Sequence, residues 1–351
     1  MIKASLHTLD LKFINPGNTS RGVLYSKPSW FIKIEKDGNT GIGECSVIPD
    51  LNPEYDENYQ DKLNEIVSRL NDSDIPKLSE LDDFVSIRFG LETAMLDLMQ
   101  PPQGILFPSA FTEGEEGIPI NGLIWMGNIQ QMQQQISDKL KLGFRVLKLK
   151  VGAINFDQEL ELLRNIREHY SDNDLEIRLD ANGAFAINDC IEKLNRLAEH
   201  KIHSIEQPIK PGNIEAMAEI CASSPIPVAL DEELIGVPKV ETKKRLLEQI
   251  RPHHIILKPS LTGGFEKCME WIDIAKKLKI GWWVTSALES NIGLNAIAQW
   301  TYTLQPKMAQ GLGTGQLFSN NIDTPLILDG PNLYYRSGRN GEKAPFKILF
   351  T

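Results

Sequence analysis

A parallel α/β barrel behind a mixed α+β segment is the fold this sequence predicts. Three observations predict it. From about residue 116 onward, eight short apolar runs recur at a near-regular interval. Helix-like segments fill most of the gaps between them. Before about residue 115 the pattern differs, with a hairpin signal and then two stretches of helical periodicity. An open doubly wound sheet is the rival arrangement. The number of runs, their regular period and the residues at their ends favour the closed barrel.

In the front segment, "SWFIKIEKDGNTGIGEC" places an Asp-Gly-Asn turn between two alternating runs, which predicts a hairpin. Helical periodicity follows over 55–71 and again in "SIRFGLETAMLDLMQ". The Pro- and Gly-rich connector "PPQGILFPSAFTEGEEG" then separates residues 1–115 from the barrel segment, 116–319. The eight runs are "PINGLIW", "RVLKLKV", "EIRLDA", "HSIEQP", "PVALDE", "HIILKP", "WWVTSA" and "MAQGLG". "FDQELELLRNIREHY", "FEKCMEWIDIAKKL" and residues 288–307 read as intervening helices.

The chain has 351 residues, 41% hydrophobic and 24% charged, which suits a soluble globular protein with room for two domains. Its formal charge of -10 argues against nucleic acid and anionic membrane surfaces as partners. No apolar run reaches membrane-spanning length. The amino terminus alternates like a strand and lacks a secretory leader core. Cys45, Cys190, Cys221 and Cys268 are isolated and read as reduced, buried thiols, so a cytoplasmic location is expected. No HExxH pattern occurs, and His253-His254 reads as structural. The sequence sets no oligomeric state.

Barrel enzymes build their active sites at the carboxyl ends of the strands. The second run ends near Lys148 and Lys150, the third on Asp180, the fourth on Glu206, the fifth on Asp231 and the sixth on Lys258. From Asp180 onward these ends are 26, 25 and 27 residues apart, one βα repeat each. The three acids are therefore expected at equivalent places on neighbouring strands. Each alone could be an ordinary surface acid. Three together repel strongly, so they take up protons or surround a cation. All-oxygen ligation favours a hard ion, Mg2+ before Mn2+ or Ca2+. Asn182 would be a polar neighbour on the turn after Asp180.

The Lys-x-Lys of "KLKVG", with "DANGAF", "EQP", "DEE" and "KPS", resembles the enolase superfamily in its muconate-lactonizing-enzyme-like subgroup. The resemblance spans nearly the whole chain. It implies a modified TIM barrel, (β/α)7β, an N-terminal α+β capping domain, and a tail over about 320–351 returning to that cap. Within the subgroup, "TSRGVLYSKPSWFIKI", "GIGECSVIPDLNPEY", "VTSALESNIGLNAIAQW" and "GLGTGQLF" resemble the o-succinylbenzoate synthase family. That implies a hydro-lyase of menaquinone biosynthesis acting on 2-succinyl-6-hydroxy-2,4-cyclohexadiene-1-carboxylate. It also implies Asp180, Glu206 and Asp231 as Mg2+ ligands, with Mn2+ as a substitute, Lys150 and Lys258 as acid/base lysines, and Lys148 as their accessory. Arg21, Asn182, Ser286, Gly313 and Thr314 are the expected substrate contacts.

Proton removal next to a carboxylate needs a neutral base, and burial with neighbouring cations lowers a lysine from its free value of about 10.4. An N-succinylamino-acid racemase or dipeptide epimerase of the same subgroup would use both lysines as opposed bases. Such epimerases usually carry an Asp-x-Asp where this chain reads Gly311-Leu312-Gly313-Thr314. A catalytically inactive metal-binding scaffold would be expected to have lost a lysine or a ligand, and none is lost. Arg178, inward by alternation, either neutralises the acids or packs in the barrel. Glu232 is expected behind the ligands, and Glu289 either orients Lys258 or simply starts a helix. "GLGTG" imitates part of a dinucleotide fingerprint without the βαβ context that would support it.

Overall fold

The computed structural model describes residues 2–19, 22–152 and 155–336. Three antiparallel strands come first in the order β1 (Lys3–Thr19), β2 (Gly22–Lys36) and β3 (Asn39–Ser46). Asp37 and Gly38 alone make the β2–β3 turn, with Lys36 paired to Asn39. Both have positive φ, 53° and 86°, the primed-turn geometry whose twist matches the strands. Helices α1 (Tyr59–Asn71) and α2 (Val85–Met99) cover this sheet. Trp30, Ile32 and Ile34 meet Leu63, Ile66, Leu70, Leu91 and Ala94 in one buried cluster.

Helix α2 is buried on nearly every side because it is gripped between the sheet and the barrel. On the sheet side it comes very close. A Cβ on Gly43 would lie 1.8 Å from the Gly90 carbonyl oxygen, so only glycine admits the helix there. On the barrel side, the Phe89 ring meets Phe265 at 5.6 Å.

The barrel follows, after the short β4 (Ile118–Pro119). Its units are β5 (Gly122–Ile124) with α3 (Ile129–Lys141), β6 (Val146–Lys150) with α4 (Phe156–His169), and β7 (Glu176–Asp180) with α5 (Ile187–Ala198). Next come β8 (Ser204–Glu206) with α6 (Ile214–Ser223), and β9 (Val228–Leu230) with α7 (Val240–Ile250). Then β10 (His254–Leu257) leads through α8 (Pro259–Thr262) to α9 (Phe265–Leu278), and β11 (Gly281–Val284) to α10 (Asn291–Thr303). The seven strands from β5 to β11 are parallel and adjacent in sequence order.

The expected eighth strand, 308–313, is reduced to bridges at Gln310 and Gly311, but these close the ring. Gln310 pairs with Ile120 beside β5, and Gly311 with Thr285 beyond β11. Backbone bonds from Gln310 to Pro119, Asn121 to Gln310, Gly311 to Val284 and Ser286 to Gly311 span 2.8–3.0 Å. Turns rather than a helix follow, so the ring is (β/α)7β.

Beyond the barrel, residues 317–322 return to the front sheet. Ile14 donates to the Leu317 carbonyl and Ser319 to that of Lys12, each at 2.9 Å, and Ile322 packs beside Phe31 and Ile42. The hairpin of β12 (Leu326–Asp329) and β13 (Asn332–Tyr335) pairs instead with β4. Nothing gives the α2–sheet contact room to relax. Gly43→Ala should therefore cost at least about 2 kcal/mol, seen as a lowered denaturant midpoint.

Candidate active site

Alternation along parallel strands puts every second residue on the inner face. Lys148 and Lys150 thus both face the barrel mouth from β6. Their ladder partners are Arg178 and Asp180 on β7, and Asp180 is in turn level with Glu206 on β8. The next step departs from the expectation of equivalent positions. Glu206 pairs with Ala229, so Asp231 stands two residues further on, just past the end of β9. Lys258 likewise lies beyond the ladder of β10. The strands of a barrel are tilted and their register sheared, so the inner face climbs by pairs of residues around the ring. The groups still converge, on a rising path. In the ring order, β6 and β10 are four places apart among eight, so Lys150 and Lys258 approach from opposite sides.

All these groups are strongly buried. Lys148 Nζ lies 2.9 Å from Asp180 Oδ2 and 2.5 Å from Glu206 Oε2. Lys150 Nζ donates to Asn182 Oδ1 at 2.6 Å and to Asp180 Oδ2 at 3.2 Å. Lys258 pairs with Asp231. Asn182 adopts a left-handed φ of 44°, donates its backbone N–H to Asp180 Oδ1 and its side-chain amide to Glu232 Oε1, both at 3.0 Å. Gln207 was not foreseen. Fully buried, its Oε1 accepts from the Asp231 N–H at 3.1 Å, while its Nε2 donates to Glu233, so it fixes the backbone that carries Asp231.

Burial opposes the charge on Asp180, but Lys148, Lys150 and Lys258 outweigh it and hold the carboxyl well below its ordinary range. Burial and then Asp180 push Glu206 well above its own, and burial followed by Asp231 raises Glu232. For Lys258, burial is overcome by Asp231 and Glu206, so its ammonium form is favoured. Among the described residues no three His, Cys, Asp or Glu side chains are already gathered around one point where an ion could sit. Asp180, Glu206 and Asp231 each turn an oxygen to a lysine instead. Glu206 Oε1 is buried and has no hydrogen-bond partner. That orphaned oxygen, with three carboxyl groups on adjacent strands, is the all-oxygen donor chemistry that fits a hard divalent cation.

Above the charges opens a cavity of about 230 Å3. Lys148, Lys150, Asp180, Lys258 and the expected contacts Asn182, Ser286, Gly313 and Thr314 line it. Arg21 lies outside the described residues. Thr314 Oγ1 donates to Ser286 Oγ at 2.7 Å. Ile48, Leu51, Trp125 and Leu288 make an apolar wall that motif reading missed. The alternation in "GLIW" was the available signal, since Trp125 follows Leu123, the ladder partner of Lys148.

Two expected neighbours are placed elsewhere. Arg178 points inward but one level down, bonded to Glu176 at 2.7 Å and the Ala309 carbonyl at 2.8 Å, with its guanidinium 4.7 Å from the centre of the Trp283 ring. It packs the barrel and does not reach the carboxylates. Glu289 accepts from Ser260, Ser286 and the Ala287 N–H, tying strand ends together without touching Lys258.

Residues 131–329 match the Enolase C-terminal domain-like family. The chain belongs to the enolase superfamily. It is 46% identical to an o-succinylbenzoate synthase of Desulfotalea psychrophila, over 94% of this chain and 98% of that one. The solved structure of MenC from Desulfotalea psychrophila LSv54 superposes with a TM-score of 0.85 at 44% identity, covering 95% of this chain and 99% of the other. A dipeptide epimerase from Cytophaga hutchinsonii, solved with Mg and the dipeptide D-Ala-L-Val, shares the fold at a TM-score of 0.79 and 21% identity, over 96% and 94% of the two chains. No helix of the described residues is long and apolar enough to cross a membrane.

The raised carboxyls carry a sign for stability. A group held above its unfolded value, about 4.3 for Glu, costs stability once the unfolded chain ionises, and the cost grows up to the folded-state value. Asp180, held low, acts in the opposite sense but only below about pH 4. In chelator, the raised carboxyls should depress melting temperature more at pH 8 than at pH 5, opposing half-buried histidines such as His254, which burial holds at about 4 and which favour the higher pH. Glu206→Gln should raise the melting temperature by a few degrees at pH 8 and by less at pH 5, as read by thermal scans.

Proposed function

We propose that this lyase dehydrates 2-succinyl-6-hydroxy-2,4-cyclohexadiene-1-carboxylate to 2-succinylbenzoate, the o-succinylbenzoate synthase reaction of menaquinone biosynthesis, in the cytoplasm. The observation that carries it is Lys150 and Lys258 set across three buried carboxylates, in a chain so similar to a synthase along the full length of both. The small-molecule carboxylate would lie in the cavity with its reacting carbon between the two lysines. Residues 1–115, with part of the tail, act as the cap, and 116–319 as the catalytic domain.

Lys150, as the neutral amine, takes the ring proton next to the carboxylate. The electron pair moves into the ring as the C–O bond breaks, and Lys150 returns its proton to the departing hydroxyl, releasing water. Aromatisation drives this second step. Asn182 fixes Lys150 through the 2.6 Å bond, and Lys148 keeps Asp180 and Glu206 aligned. Lys258, kept cationic by Asp231, faces the enediolate with positive charge. Asp180, Glu206 and Asp231 would hold Mg2+, or Mn2+ in its place, whose charge stabilises the enediolate oxygens. Ser286, Gly313, Thr314 and Arg21 would meet the succinyl arm. Gly311–Thr314 offers no acid for a substrate ammonium, which counts against an epimerase.

Purified protein with Mg2+ should turn over the cyclohexadiene carboxylate with a higher kcat/KM than any N-succinyl amino acid or dipeptide, followed by its ultraviolet absorbance. A racemase rate equal to or above the dehydration rate would overturn the synthase reading. Activity should vanish on verified metal removal and return with Mg2+ or Mn2+. Lys150→Ala should lose about 10²–10⁴-fold in kcat. Lys258→Arg should keep part of the dehydration, whereas Lys150→Arg keeps none, because a guanidinium does not give up its proton in a protein.

A further inference from the structure

The wall of the cavity formed by residues 285–288 is held from outside the barrel. Leu288 sits at a φ of 62°, a conformation a non-glycine residue keeps only when its surroundings impose it. Its N–H donates to Ser286 Oγ at 3.1 Å, and Glu289 gathers Ser286, Ala287 and Ser260 around one carboxylate. The loop then runs into α10, whose first N–H groups need an acceptor. Part of that need is met by Glu44 on β3. Glu44 Oε1 accepts from the Ser290 N–H at 2.9 Å, and its Oε2 from Ser290 Oγ at 2.6 Å and the Gly293 N–H at 3.0 Å. A Cβ on Gly293 would come within 2.8 Å of that same Oε2, so the helix admits the foreign carboxylate by carrying glycine there.

Glu44 is itself held. Ser29 Oγ donates to it at 2.9 Å, and Lys27 donates to Ser29 at 3.1 Å and Ser46 at 2.6 Å. Lys27, Glu44, Glu289 and Ser290 are all fully buried. A charged acceptor at a helix N-terminus in a dry setting is among the stronger polar contacts a protein makes. Glu92 on α2 makes the companion contact, accepting from the N–H groups of Phe265 and Glu266 at 2.6 and 3.1 Å at the start of α9.

We propose that Glu44 is a positioning residue that sets the wall of the substrate cavity beyond β11 from the cap, so that docking of the cap and completion of the pocket are one event. It touches none of the reacting groups. Its effect travels through Ser290 and α10 to Ser286, Ala287 and Leu288.

Glu44→Gln keeps the shape but presents N–H2 to donors. Amide hydrogen exchange of the full chain should then rise about tenfold or more over residues 285–293, with β6 to β9 unchanged. Glu92→Gln should raise exchange at 264–267 and leave 285–293 alone. Unchanged exchange at 285–293 in Glu44→Gln overturns the proposal whatever the substrate proves to be. The kinetic arm rests on the dehydration reading. KM for the cyclohexadiene carboxylate should rise about tenfold while kcat stays within about threefold, and Ser290→Ala should move KM in the same direction by less. A role in folding alone would lower the active fraction, hence kcat, at constant KM, and that outcome also overturns the proposal. Wild-type turnover measured alongside separates this result from failure of the dehydration reading itself.

Discussion

Four buried carboxyl groups facing three lysines are the constraint around which the molecule is arranged. Asp180, Glu206, Asp231 and Glu232 are almost fully buried, and Lys148, Lys150 and Lys258 reach them from two sides. In a medium of low polarity such charges cannot be left unpaired. Rigid placement is therefore required, and the parallel ladder provides it. Adjacent strands bring Lys150, Asp180 and Glu206 level through backbone bonds alone. Gln207 and Asn182, both in left-handed backbone conformations, fix what lies just past the ladder. Glu206 Oε1 is left without a partner, and a buried acceptor of that kind beside three other carboxyl groups makes the place hospitable to a small dication.

Most of this centre could be read in the sequence because it follows from a local rule. A run of alternating residues that stops on an acid, repeated at one βα interval, puts those acids at one mouth. The Asp-Gly hairpin and the closely matching helix Phe265–Leu278 were legible for similar reasons, each being encoded within its own segment. What escaped depends on contacts between distant segments. Asp231 rises above Glu206 because of barrel shear, a property of the closed ring rather than of one strand. Arg178 shows the right alternation and the wrong level, since alternation gives a face but not a depth. Gln207 looked like a motif letter and is a brace. Glu44 sits in a buried strand with nothing nearby to say that its partner is Ser290, 246 residues away.

The cap is joined to the barrel by the same physics that works in the centre. Glu44 and Glu92 each place a negative charge at the start of a barrel helix, α10 and α9. Helix α2 adds apolar weight through Phe89 against Phe265, and its own sheet holds it through the glycine contacts at Gly41 and Gly43. Closely packed surfaces of this kind shift little, so a cavity wall that depends on them inherits their rigidity.

The ring closes at Gln310 and Gly311 through a handful of backbone bonds, while the charges lie on β6 to β10, away from that seam. Gly313 and Thr314 hang directly from it. The molecule thus carries its paired lysines and carboxyls and the Gly313–Thr314 part of its cavity wall on separate arcs of one circle. An altered side chain near the seam can reshape the pocket without unsettling the paired charges opposite. The architecture is in that sense modular within a single barrel.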